Sequence, residues 1–137
     1  MESASRDELP PIGTLRRVAF LRALRLACPQ CGAKPLFRAY GRLRERCGTC
    51  ELVLRREQGA QTGSMYVTAA VGQLFACALI WIAWLFTSWS PAVFFTVAVP
   101  LVLAFCALLL PFSQAFWVAV EYVTDAVNRE AWVQPRL

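Results

Sequence analysis

Between Glu57 and Glu121 the chain contains no Asp, Glu, Lys or Arg, and this charge-free stretch limits the fold more than any other feature. A soluble domain of 137 residues has no core large enough to hide such a run, so the stretch reads as membrane-spanning. Composition agrees: 58% of residues are hydrophobic and 17% charged, against roughly 45–50% and about 25% in ordinary soluble domains. The run divides naturally. Ser64 to Thr87 supplies uncharged residues for a helix of about 36 Å, longer than a hydrocarbon core of about 30 Å. Ser88-Trp89-Ser90-Pro91 then breaks it, and Ala92 to Phe112 supplies a second span. Two spans joined by four residues form a tight hairpin. Pro100 predicts a kink, and the residues leave open whether 112–127 continues the second span or turns along the interface.

Charges flanking the spans set an expected orientation. Arg55 and Arg56 precede the first, Arg129 and Arg136 follow the second, and the connecting loop has none, so both termini are expected on the cytoplasmic side. Trp81, Trp84 and Trp89 gather toward the loop and Tyr66, Trp117, Tyr122 and Trp132 toward the other end, the pattern of two interfacial belts. Ser64, Thr68, Gly72 and Ala76 form a small-residue stripe on the first span, and Thr96, Pro100 and Ala104 a weaker one on the second. The spans are expected to pack through these stripes, leaving other surface for lipid or for another membrane protein or complex. Cys77 and Cys106 read as apolar fillers. With no ionisable group at mid-membrane, a proton relay or ion pathway has no chemical basis. Glu121 and Asp125, four apart, read as a solvated helix end.

The basic residues lie ahead of the spans, 12 of the 14 Lys and Arg at or before Arg56. Among them are two C-x-x-C pairs, Cys28-Pro29-Gln30-Cys31 and Cys47-Gly48-Thr49-Cys50, with fifteen residues between. Such spacing points two thiolates at one ion from each tight turn, and two turns complete a tetrahedral cage. Structural zinc fits best, with iron as the other candidate for four thiolates. Disulfides would need an oxidising compartment, and a thioredoxin-type dithiol needs one pair in a β-α-β setting that is missing here. Leu36 to Tyr40 and Arg42 to Arg46 are expected to form a hairpin turning at Gly41, with a short third strand at Leu52 to Leu54. So small a module depends on metal for much of its folding free energy.

Lys34, Arg38, Arg42, Arg44 and Arg46 surround this site in sequence. Four thiolates with one divalent ion are net negative, so part of the basic charge balances the metal. Nucleic acid is disfavoured as a target, because Phe37 and Tyr40 are the aromatics near the knuckles and a membrane tether restricts access. Ahead of the ribbon, Thr14 to Ala27 has helical composition with Thr14 as cap, and its arginines do not share one face. It reads as a basic segment on anionic headgroups or as a solvated connector. Met1 to Pro11 is polar and ends in a Pro-Pro pair, so it reads as a loose tail and not as a signal peptide.

The expected architecture is a membrane protein: a small zinc-ribbon head of short antiparallel β structure, then a two-helix transmembrane hairpin. Its parts are a loose tail (1–13), a basic juxtamembrane helix (14–27), a zinc-ribbon-like module (28–57), the hairpin with its cytoplasmic extension (58–127) and a tail (128–137). The chain has no histidine. Ser-His and Cys-His catalysis and mixed Cys/His metal sites are therefore excluded, and four cysteines on one tetrahedral zinc leave no open position, so a non-enzymatic role is expected. No small-molecule substrate is evident. The rival readings are a cysteine-based redox or metal-delivery protein, or a membrane-tethered nucleic-acid-binding ribbon.

The succession of Leu21-Arg22-Ala23-Leu24-Arg25-Leu26, Cys28-Pro29-Gln30-Cys31-Gly32, Pro35-Leu36-Phe37-Arg38, Cys47-Gly48-Thr49-Cys50, Thr62-Gly63-Ser64-Met65-Tyr66 and Pro111-Phe112-Ser113 with Trp117 resembles the bacterial membrane proteins grouped as domain of unknown function 983. The resemblance implies a cytoplasmic zinc-ribbon-like head, two transmembrane helices, a bacterial inner (plasma) membrane location and no established activity. Relatives encoded beside oxidase and oxidase-assembly genes imply a respiratory complex as partner, with this chain as adaptor, accessory subunit or assembly factor. Glu51 stands where the pattern has glycine after the second knuckle, and Gln114 and Glu121 where it has Arg and Asp.

Overall fold

The computed structural model describes residues 11–55, 62–131 and 133. Along the chain run α1 (Ile12–Leu24), β1 (Phe37–Ala39), β2 (Arg42–Leu43), α2 (Thr62–Phe86) and α3 (Pro91–Val127). A short antiparallel sheet flanked by four cysteines is thus followed by two long apolar helices, both candidate membrane spans. The N-terminal residues 1–10, Arg56, Trp132 and Arg136, used above for the tail, the flanking charge and one aromatic belt, lie outside the described residues.

Helix α1 starts at Ile12, two residues before the expected cap, because the Pro11 carbonyl already accepts the Thr14 and Leu15 amides and no side chain is needed. It stops at Leu24. Leu26 takes φ +52°, its amide bonds the Ala23 carbonyl, and the Ala27 amide reaches back to the Arg22 carbonyl. That pair of bonds closes the helix and turns the chain toward Cys28.

The buried face of α1 is Leu15, Ala19 and Ala23, spaced one turn apart. It packs on α3, where Ala115, Val118, Ala119, Tyr122, Val123 and Ala126 are buried, and Phe20 meets Phe116 with ring centroids 5.2 Å apart. One face of α1 is thus held against α3, while Arg16 and Arg17 on its remaining surface and Arg25 at its C-cap are exposed. Its contact is made largely by alanines, which let the helix axes approach closely.

α3 continues as helix through Pro100 and Pro111 to Val127, so residues 112–127 belong to the second helix. At about 1.5 Å per residue it is roughly 55 Å long, well beyond a hydrocarbon core of about 30 Å. The excess is the part that α1 covers. This overturns two expectations. Tyr122 is buried at 2% exposure and belongs to no aromatic belt, and Asp125 is buried at 7% rather than solvated. Trp117 lies against Gly63 and donates its indole N–H to a Glu121 carboxylate oxygen at 2.8 Å, which occupies Glu121 as well.

α2 and α3 pack as an antiparallel pair. On α2 the expected stripe is used: Ser64 and Gly72 are buried, Thr68 Oγ1 meets Ser113 Oγ at 2.6 Å, and a Cβ on Gly72 would stand 2.8 Å from Cys106 Sγ. On α3 the expected stripe is not. Thr96, Pro100 and Ala104 are exposed, and Thr96 bonds the Ala92 carbonyl of its own helix. The contact face carries Phe105, Cys106 and Ser113 instead, with Phe75 and Phe105 stacked at 4.0 Å. Small residues alone did not mark that face, because a stacked aromatic pair fixes the register.

In the head, Phe37 pairs with Leu43 and Ala39 with Arg42, the turn passing through Gly41 at φ +67°. The expected third strand is reduced to one bridge, Arg46 to Val53. Leu36, Leu43, Leu52 and Leu54 are buried with Cys28 and Cys47, in a core continuous with the α1–α3 contact.

Candidate metal centre

Each C-x-x-C pair folds into the same turn. In the first, the Gly32 amide bonds the Cys28 carbonyl at 2.8 Å and the Cys28 amide bonds the Ala33 carbonyl at 3.0 Å. In the second, Glu51 bonds Cys47 at 3.1 Å and Cys47 bonds Leu52 at 3.0 Å. Both turns need a left-handed residue directly after their second cysteine. Gly32 supplies it at φ +74°, and Glu51 takes φ +57° at the equivalent place. This explains why glycine suits position 51, and why Glu51 carries a local strain of about 1 kcal/mol.

The two turns bring all four Sγ atoms within 4.8 Å of one another. Cys28 and Cys50 approach to 3.7 Å and Cys31 and Cys47 to 3.6 Å. Metal–sulfur bonds of about 2.3 Å arranged tetrahedrally give sulfur–sulfur edges of about 3.8 Å, so the set fits a four-thiolate ion. The cysteines are free thiols, and the sulfurs lie well beyond the roughly 2.05 Å of a disulfide. Cys77 and Cys106 take no part, the first exposed and the second against Gly72. Among the described residues these four cysteines are the group able to hold a metal, and Glu121 and Asp125 are not in it.

Electrostatics favour a cation at the centre. Burial pushes the Cys28 thiol well above its ordinary range, outweighing the Cys31 and Gln30 amides that point at its sulfur. Burial likewise raises Cys50, to about 11. Cys47 is desolvated too, but the Cys50 and Thr49 amides and neighbouring thiols outweigh that and lower it to about 7. Four adjacent thiolates do not coexist without a positive partner, which a bound divalent ion supplies. Its role there would be a cross-link between the two turns.

Three residues to which the sequence assigned no role at the site hold this head in place. Arg22 of α1 donates from one guanidinium nitrogen to the Pro29 carbonyl at 3.1 Å and the Gln30 carbonyl at 2.7 Å, tying the first turn to the helix. At the opposite end Gln114 of α3 donates to the Gly41 carbonyl at 3.2 Å, and the Tyr40 hydroxyl bonds the Ala107 carbonyl. A Cβ on Gly41 would stand 3.2 Å from Leu110, so glycine lets the hairpin tip lie on α3. The i+7 and i+8 spacing from Arg22 to the first knuckle was the available signal; nothing in the sequence links Gln114 to residue 41.

The family described as a protein of unknown function, DUF983, matches residues 37–122. The chain belongs to the DUF983 family. The matched region holds the sheet, the second cysteine pair, α2 and most of α3, while α1, Cys28 and Cys31 precede it. No curated protein and no solved structure matches the chain.

Proposed function

We propose that this DUF983 protein is a non-enzymatic membrane adaptor, accessory subunit or assembly factor, whose head is cross-linked by a structural zinc and whose α2–α3 hairpin spans a bacterial inner membrane with both termini cytoplasmic. The observation that carries the membrane part is exposure: 6% of the most apolar stretch of α2 and 0% of that of α3 is buried within the molecule. A soluble protein does not leave such surface in water. Zinc is favoured over iron as the redox-inert ion for a four-thiolate cross-link. An adaptor role suits a closed ligand set, since four sulfurs leave a tetrahedral ion no position for substrate or water.

Affinity purification of the full chain from native membranes, followed by mass spectrometry, tests this reading. A membrane complex, a respiratory oxidase being the leading candidate, is expected to co-purify in stoichiometric amount. One observation favours a second reading, cysteine-based redox or metal delivery: Cys31 and Cys50 are half-buried, within reach of an exchanging thiol. Disulfide reduction or zinc transfer by the isolated protein, without a co-purifying partner, would replace the adaptor with that reading.

A further inference from the structure

After the two residues of β2 the chain bends at Glu45, and from Arg42 to Cys47 only Leu43 and Cys47 are buried. Arg42 and Arg46 are exposed and Arg44 is half-buried. They line an open groove of about 1150 Å³ together with Arg38, Arg55 and, from α3, Gln114. Among the described residues, Glu45 is the single carboxylate in its wall. A four-thiolate site holding a divalent ion needs two positive charges for balance, so five guanidiniums exceed what the metal explains. Like charges crowded on neighbouring positions repel, and a fold gains nothing from them without a counter-charge.

Two further observations place a ligand here. Arg44 Nε and Gln114 Oε1 are both buried, and neither has a hydrogen-bond partner among the described residues. One is a donor and the other an acceptor, and each costs free energy until it is satisfied. The groove's position supplies the ligand's source. The hairpin tip rests on α3 at Ala107, Leu110 and Gln114, where the apolar run ends, so the groove opens at the level of phospholipid headgroups. We infer that the groove binds the headgroup of an anionic phospholipid, the arginines holding the phosphodiester and Gln114 accepting from a headgroup hydroxyl. The inference rests on α2 and α3 spanning a bilayer.

The test uses the full-length, metal-loaded protein in nanodiscs of mixed phosphatidylglycerol and phosphatidylcholine, with retained lipid counted by native mass spectrometry after release. The protein is expected to retain phosphatidylglycerol about tenfold over its share of the bilayer. Arg38→Gln with Arg42→Gln, two exposed side chains with no packing role, is expected to reduce that enrichment about fivefold or more. Arg44→Gln is expected to act in the same direction, whereas Arg16→Gln with Arg17→Gln, two exposed residues of α1, is expected to leave it intact. Metal content and helicity confirm that each variant is folded. Equal retention of the two lipids, or enrichment unchanged in the groove variants, overturns the inference. Displacement of the lipid by millimolar inorganic phosphate, or by an RNA oligonucleotide at lower concentration, overturns it in favour of a soluble ligand. Release of the protein from native membranes by alkaline carbonate instead contradicts the spanning reading itself.

Discussion

Leu36, Leu43, Leu52 and Leu54 of the head are exposed by 8% or less, whereas Leu74, Ile80, Trp84 and Leu103 of the helical pair stand between 56% and 84% exposed. The head turns its few large apolar side chains inward around four sulfurs. The helices turn theirs outward and meet through Ser64, Gly72 and one stacked aromatic pair. Stability is therefore concentrated in the first region and distributed in the second. Loss of one sulfur from the cluster is therefore expected to affect the whole head, while along the helices most substitutions are expected to be absorbed, except where backbones or rings touch.

The sharpest way to break this contrast is Cys47→Ser. Loss of one thiolate is expected to release the metal and unfold residues 37–54, since structural zinc contributes on the order of 10 kcal/mol to such modules. Hydrogen exchange should show that segment unprotected while α2 and α3 remain protected. Protection of the segment without metal would mean that the leucine core suffices. The helical counterpart is Gly63→Leu, whose side chain would run into the Trp117 ring. About 3 kcal/mol of destabilisation is expected in a denaturation titration. Gly72→Leu, facing one rotatable thiol, should cost less.

Arg22→Ala tests the joint between the regions. It removes two charge-assisted bonds to the first knuckle and is expected to cost about 2 kcal/mol, with faster exchange at Gly32 and in α1 but an unchanged α2. The smallest expected effect has the opposite sign. Glu51→Gly relieves a left-handed residue and should stabilise the metal-loaded head by about 0.5–1 kcal/mol, after the added freedom of the unfolded chain is counted. A loss of stability there would mean that the Glu51 side chain does something the backbone does not reveal.

What was legible in the sequence was local or carried by charge. The cysteine pairs define their own turns within six residues, and the absence of charge from Glu57 to Glu121 marks the helical pair without reference to any partner. The α1–α3 contact was not legible, because Ala19, Ala23, Ala115 and Ala119 carry almost no hydrophobic signal, while the conspicuous Leu21 and Leu24 are exposed. The α3 contact face was misplaced onto Thr96, Pro100 and Ala104, since a stripe of small residues does not reveal that Phe105 will stack on Phe75. Gln114 looked like a departure from a family pattern and proved to be a wall of the basic groove and a partner of Gly41. Contacts that depend on which helices meet, and at what height, are long-range.

The central claim is that Cys28, Cys31, Cys47 and Cys50 close around one zinc ion. Elemental analysis of the full chain purified from membranes, combined with X-ray absorption at the metal edge, tests it directly. The expected result is about one zinc per chain with four sulfur neighbours at about 2.3 Å and no lighter ligand. Iron in its place, a nitrogen or oxygen neighbour in the shell, or a metal-free folded head with the cysteines paired as disulfides would contradict it.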